Sequence, residues 1–110
     1  MATVLREDGQ YEGAINYYAE ALKLKPGDAD AFGGIGICLE EMGDDENAKK
    51  FYIKALINNM KLTEIRLKLI YLLIRSDEIK LAQKHIMTLR VLEPVNKEAI
   101  ELQEKYGYPF

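Results

Sequence analysis

Apolar residues recur along this chain at spacings of three and four, in blocks separated by Gly, Pro and Asp, the pattern of successive amphipathic helices. One block runs over about 11–24 and carries Tyr11, Ala14, Tyr17, Tyr18, Ala21 and Leu22. Lys25-Pro26-Gly27-Asp28 then breaks the chain, and Asp28 or Asp30 is placed to cap the next helix. That helix, over about 29–42, carries Phe32, Ile35, Leu39 and Met42 and ends at Gly43. Asp44-Asp45-Glu46 puts negative charge at the following N-terminus, where the helix dipole favours it. The helix it opens, about 45–58, buries Ala48, Phe51, Tyr52, Ala55 and Leu56.

Two further helices are predicted over about 62–75, with Ile65, Leu69, Ile70, Leu72 and Leu73, and about 78–91, with Ile79, Ala82, Ile86 and Leu89. Ser76-Asp77 turns the chain between them, and Pro94 stops the second. A last helix, about 96–106, is half polar: Ile100 and Gln103 take the core positions, with Glu98, Glu101, Glu104 and Lys105 outside. Before Gly9 there is room only for a short helix, Ala2–Glu7, which is marginal unless packed.

The blocks repeat. Ala14, Ala48 and Ala82 stand 34 residues apart, and so do Tyr18, Tyr52 and Ile86, and Ala21, Ala55 and Leu89. One helix pair is therefore used repeatedly, and such an array is a binding surface more often than a reaction vessel. The expected architecture is all-α: an α-solenoid of antiparallel helix pairs, two and a half repeats plus a C-terminal capping helix, in a single domain over 1–110. A partial first repeat covers 1–26, a second 29–60, a degenerate third 63–94, and the cap and tail 95–110.

Phe32, Ile35-Gly36, Leu39, Ala48 and Tyr52 in the middle period, with Gly9, Tyr11, Ala14, Tyr18, Ala21 and Pro26 in the first, resemble the tetratricopeptide repeat signature. Gly36 and Ala48 would let two helix backbones approach closely while a tyrosine fills the space beside them. Met60 stands where Pro26 and Pro94 sit, Arg66 replaces Phe32, Ile70 replaces Gly36, and Asp77 stands where Gly9 and Gly43 do. The third repeat should accordingly pack with wider helix separation.

In arrays of that family the first helix of each pair lines a concave face. By this resemblance the wall would be Asp30, Gly33, Gly34, Ile37 and Glu41, then Glu64, Leu67, Lys68, Tyr71, Ile74 and Arg75, with Leu102 and Lys105 from the cap. The expected partner-binding groove is Gly33, Gly34, Ile37, Glu41, Leu67, Lys68, Tyr71, Ile74 and Arg75. Its small and apolar floor would admit an extended peptide or a partner helix; alternatively Gly33 and Gly34 only permit close helix packing. Family members that clamp the C-terminal carboxylate of heat-shock chaperones use Lys, Asn and Arg, where this chain has Gly33 and Ile37, so that ligand is not expected. Gly33-Gly34-Ile35-Gly36-Ile37-Cys38 resembles the repeats of type III secretion chaperones, which implies a second reading as a binder of extended export substrates.

Charge adds a third reading. The net charge of −3 divides unevenly: residues 1–47 carry three basic against eleven acidic residues, a balance of −8, and residues 48–94 balance to +6. With a truncated first helix leaving Tyr11, Ala14 and Tyr18 short of cover, this split suggests a self-assembly unit, a homo-oligomer joined head to tail.

Chemistry finds little purchase. His85 is the only histidine and stands where Tyr17 and Phe51 stand in earlier periods, a packing position. Cys38 is alone, so neither an internal disulfide nor a cysteine metal cluster is expected. Gly33-Gly34-x-Gly36 follows no predicted strand and lacks the Gly-Lys-Ser/Thr ending of a phosphate loop. Asp44-Asp45-Glu46 lacks the alternating ligands of a calcium loop. No enzyme activity, cofactor or metal is expected. With a pI near 5.2 and lysines mostly on second helices, nucleic acid is not an expected partner. No apolar run is long enough to span a bilayer and the acidic N-terminus reads as no secretory signal, so the expected location is cytoplasmic, without membrane insertion.

Overall fold

The computed structural model describes residue 6 and residues 9–106, and within them every regular element is a helix. The helices are α1 (Tyr11–Leu24), α2 (Ala29–Glu41), α3 (Asp45–Asn58), α4 (Thr63–Arg75), α5 (Ile79–Leu92) and α6 (Lys97–Tyr106). Each lies within a residue or two of its sequence expectation. The short helix expected at 2–7 falls outside the described residues except for Arg6, which is helical. The tail beyond Tyr106 also lies outside them.

Local chemistry explains the boundaries. The Asp28 carboxylate accepts from the Ala31 N–H at 3.2 Å, and that of Asp44 from the Asn47 N–H at 3.3 Å, each capping the helix that begins there. Asn96 caps α6 in the same way through the Ala99 N–H at 3.0 Å. At its far end α2 closes with the Gly43 N–H on Glu40 O and the Asp44 N–H on Leu39 O, while Gly43 takes φ +86°. The end of α4 repeats that motif with Asp77 N–H on Ile74 O and Glu78 N–H on Leu73 O. Asp77 adopts φ +62° there, in the left-handed region that glycine takes freely.

The chain forms two compact units, Met1–Ile65 and Arg66–Phe110. In the first, α2 packs on both α1 and α3. Its interior holds Ala14, Ala31, Ile35, Cys38, Ala48, Tyr52, Ala55 and Leu56. Gly36 lets α2 and α3 close: a Cβ there would sit 2.6 Å from Tyr52 Cδ1 and 3.3 Å from the Ala48 carbonyl oxygen. The Tyr52 ring is wholly buried in that gap, and its hydroxyl donates to Glu40 at 2.6 Å. Ala14 is fully buried and Tyr11 and Tyr18 half-buried, so the first repeat is better covered than the sequence suggested.

The second unit is built on Leu69, Ile70, Leu72 and Leu73 of α4, Ala82, Ile86 and Leu89 of α5, and Ala99 and Leu102 of α6. The cap is turned by about one residue from its expected orientation. Ala99 and Leu102 are buried and Ile100 and Gln103 half-buried, because Ala99 is small enough for close approach to α5. Gln103 instead accepts from Arg90 Nε at 2.8 Å at the margin of that contact. Leu102 is thereby core, not groove wall.

Candidate partner-binding site

A pocket of about 440 Å³ opens in the first unit between α2 and the start of α4. Tyr18, Gly33, Gly34, Ile37 and Ile65 give it an apolar floor, and Arg6, Asp30, Lys61 and Glu64 bring charges of both signs to it. The helical repeat explains the placement. Asp30, Gly33, Gly34, Ile37 and Glu41 fall on one side of α2 at intervals of three, four and seven. Glu41, at the C-terminal end of that row, is exposed and stands outside the pocket's lining.

The two glycines are less open than their composition implies. A Cβ on Gly34 would fall inside the Tyr18 ring, and one on Gly33 would lie 2.9 Å from Ile65 Cδ1. The missing side chains are thus largely filled by neighbours from α1 and α4. Gly33 and Gly34 serve helix packing, and the accessible floor is made as much by Tyr18 and Ile65 as by the glycines. Neither Tyr18 nor Ile65 was expected in the site. The register could have shown Tyr18, which sits at the same repeat position as the Tyr52 that covers Gly36.

Five of the expected groove residues belong to the second unit. Leu67, Lys68 and Ile74 are half-buried, Tyr71 is 45% exposed, and Arg75 is exposed. They share one face of α4 by helical spacing. Tyr71 is held from α6: its hydroxyl donates to Glu98 at 2.9 Å. Burial first, and then the bond and charge of Glu98, push its pKa up, so it stays a neutral donor.

The groups with candidate chemistry are occupied structurally. Cys38 is fully buried, and burial pushes its thiol pKa up, opposing the smaller effect of Arg6, so the nucleophilic thiolate is disfavoured. His85 meets Arg66 with Nη1 to Nδ1 at 3.1 Å. A guanidinium has no acceptor, so Nδ1 must be unprotonated and the imidazole neutral. Burial, and then the Arg66 charge, draw the His85 pKa below its ordinary value. Among the described residues no three His, Cys, Asp or Glu side chains are grouped to hold a metal ion, and no helix is long and apolar enough to cross a membrane.

Antiparallel helix pairs repeating at 34 residues, with small residues at the crossings and tyrosines beside them, define an α-helical repeat protein. The chain belongs to the tetratricopeptide repeat family, whose pattern matches residues 5–61. Solved structures agree on the fold. The TPR domain of Arabidopsis OM64 superposes with a TM-score of 0.80 at 22% identity, over 99% of this chain and 90% of that one. The second TPR domain of human RPAP3, in complex with an HSP70 peptide, gives 0.80 at 19% identity, over 96% and 88% of the two chains. The type III secretion chaperone SycD of Yersinia enterocolitica, in complex with a peptide of the translocator YopD, gives 0.77 at 22% identity, over 96% and 80%. No curated protein sequence is significantly similar to this chain.

Proposed function

We propose that this chain is a non-enzymatic protein-interaction module that holds an extended segment of a partner protein. The observation that carries the reading is the pocket on the Gly33 and Gly34 side of α2, with Tyr18, Ile37 and Ile65 beneath and Asp30, Lys61 and Glu64 beside it. A site of this size accepts one or two apolar side chains of a bound segment, while polar groups at its mouth set orientation. The α4 face of the second unit, with Leu67, Lys68, Tyr71, Ile74 and Arg75, offers a further contact surface of its own. The RPAP3 and SycD domains are solved with peptides bound, and their likeness in fold supports the same kind of occupant. Asp30 and Glu64 stand beside Arg6 and Lys61 in the pocket, and this mixed charge suits an internal segment better than a lone terminal carboxylate. A soluble place of work, in the cytoplasm, goes with this reading.

The test is selection from a displayed library of linear peptides, followed by mapping of the bound peptide by NMR shifts. Gly34→Glu is a poor probe because it would displace Tyr18. Asp30→Lys, Glu64→Lys and Tyr71→Asp change exposed positions and should leave helicity intact. Selected peptides should perturb Tyr18, Ile37 and Ile65, and Asp30→Lys and Glu64→Lys should each weaken them by roughly five- to tenfold, while Tyr71→Asp tests the second unit's α4 surface separately. Peptides that perturb only α3 and α5 would overturn the proposal.

A further inference from the structure

Between Ile79 and Leu92 helix α5 has no acidic residue, and one stripe of it joins lysines to exposed aliphatic side chains. Lys80, Lys84, Met87 and Val91 follow at intervals of four, three and four, which sets them in one line along the helix. All four are exposed, Val91 to 78%, and Val95 in the turn that follows is 86% exposed. The opposite side of α5, with Ala82, Ile86 and Leu89, is buried in the core of the second unit. The stripe is thereby held outward.

The repeat does not demand apolar residues there. In α1 the positions of Lys84, Met87 and Val91 are filled by Asn16, Ala19 and Lys23, all exposed. In α3 they are Lys50, Ile53 and Ile57, again a lysine followed by two exposed aliphatics. The fold accepts polar residues at these positions, so packing does not explain the aliphatic pairs. The carboxylates of the second unit mostly face other ways. Glu98 accepts from the Tyr71 hydroxyl, and Glu101 acts on the same group, so both lie toward α4. Glu93 takes the Asn96 side chain at 3.3 Å, and Glu78 is half-buried at the N-cap of α5. Glu104 is on α6, which meets α5 along Gln83 and Arg90, to one side of the stripe. Asp77 is exposed three residues before Lys80, at the end of the stripe away from Val91 and Val95.

We propose that α5 seats the chain on an anionic lipid surface as a peripheral contact. Met87, Val91 and Val95 enter the boundary between headgroups and acyl chains, and Lys80 and Lys84 reach the anionic headgroups. The C-terminal end of α5 then sits deeper than its start, which leaves Asp77 in water. A lipid surface is the favoured occupant for two reasons. Side chains exposed this far stand proud of the helix, and a fluid interface takes them without a matching groove. Its negative charge also complements a stripe whose polar members are lysines. Among the described residues no helix is long and apolar enough to cross a bilayer, so the contact stays at the surface. The stripe shares no residue with the pocket assigned to the partner segment.

The experiment is co-sedimentation of the full chain with vesicles of phosphatidylserine and phosphatidylcholine, against vesicles of phosphatidylcholine alone. The chain should pellet with the first and not the second, and should be released at about 0.5 M salt, where the screening length is a few ångströms. Val91→Asp and Lys84→Glu change exposed positions and should each weaken partitioning about fivefold or more, with helicity unchanged. Lys25→Glu makes the same change of net charge after α1 and should leave partitioning as it was. The chain has no tryptophan, so Met87→Trp is a lone reporter whose emission should shift to the blue on the anionic vesicles. Ala19→Trp, at the same repeat position on α1, should not shift. A chain that stays in the supernatant at low salt overturns the proposal. So does equal weakening by Lys25→Glu and Lys84→Glu, the mark of diffuse charge attraction. Capture of an acidic amphipathic peptide by the stripe, with neither tryptophan shifted by vesicles, overturns it in favour of a protein partner.

Discussion

Phe32 and Phe51 face each other across α2 and α3 with ring centroids 6.2 Å apart, and Lys54 lies 4.8 Å above the Phe51 ring. Thirty-four residues on, the same two positions hold Arg66 and His85, and they too are in contact. An aromatic pair in one repeat has become a hydrogen-bonded polar pair in the next. Arg66 is only 5% exposed, and burial draws its pKa down, yet its charge persists because the ordinary value is so high. A proton on His85 would remove the acceptor at Nδ1 and place two cations together. The folded pKa of His85 is therefore below its unfolded value of about 6.5. Its contribution is fully present above that unfolded value and is lost as pH falls toward the folded pKa. Urea titrations between pH 8 and pH 5, taken as an approximate window around the histidine range, should show declining stability. His85→Gln should flatten that decline, and an unchanged slope would show that other groups cause it.

At the scale of elements, the turns of the two units are instructive because they differ by one residue. Gly9, Gly43 and Asp77 occupy the same place in successive periods, and all three take positive φ, at 80°, 86° and 62°. The sequence shows Asp77 as a departure from the pattern, and the backbone keeps the turn regardless. A left-handed conformation costs an L-residue about 1 kcal/mol, so Asp77→Gly should stabilise the chain by up to about that amount, less the entropy glycine loses on folding. Chemical denaturation would measure it, and destabilisation would mean that the Asp77 side chain makes a compensating contact. The helix bounds were legible because their signals are local: Asp28, Asp44, Gly43, Pro26 and Pro94 each act within a turn of their own position. The facing of α6 was not legible. Ala99-Ile100 and Leu102-Gln103 offer two adjacent stripes of similar character, and only contact with α5 selects the first.

For the whole molecule, the proposed partner pocket does not include Leu24 at the exposed end of α1, so a change there should alter the pocket's occupancy little. Coupling requires differential contact with the second ligand. A peptide selected for the pocket should bind Leu24→Asp as tightly as it binds the parent chain, by calorimetry at concentrations where the parent is monomeric. A large difference would mean that the α1 end and the pocket communicate through α1 itself, by way of Tyr18. The charge split acts at this scale too. Its −8 and +6 segments are consecutive in sequence, yet in the first unit the end that carries Lys25 and Lys61 also carries exposed Asp30 and Glu64, so the two signs are mixed there.

The sequence by itself determined the helices, their period and the family, because amphipathic spacing, caps and the recurrence of Ala14, Ala48 and Ala82 are encoded position by position. It also determined that Gly36 must be small, since Tyr52 recurs with it at the family's spacing. Tertiary structure alone decided what stands over Gly33 and Gly34. An empty side chain invites a ligand and a neighbouring side chain equally, and here Ile65 and Tyr18 take the space. It likewise decided that Arg66 and His85 touch and that the carboxylates around Met42 lie a helix length away from Leu24. These facts depend on which residues far apart in the chain are brought together, and a one-dimensional pattern carries no distance between them.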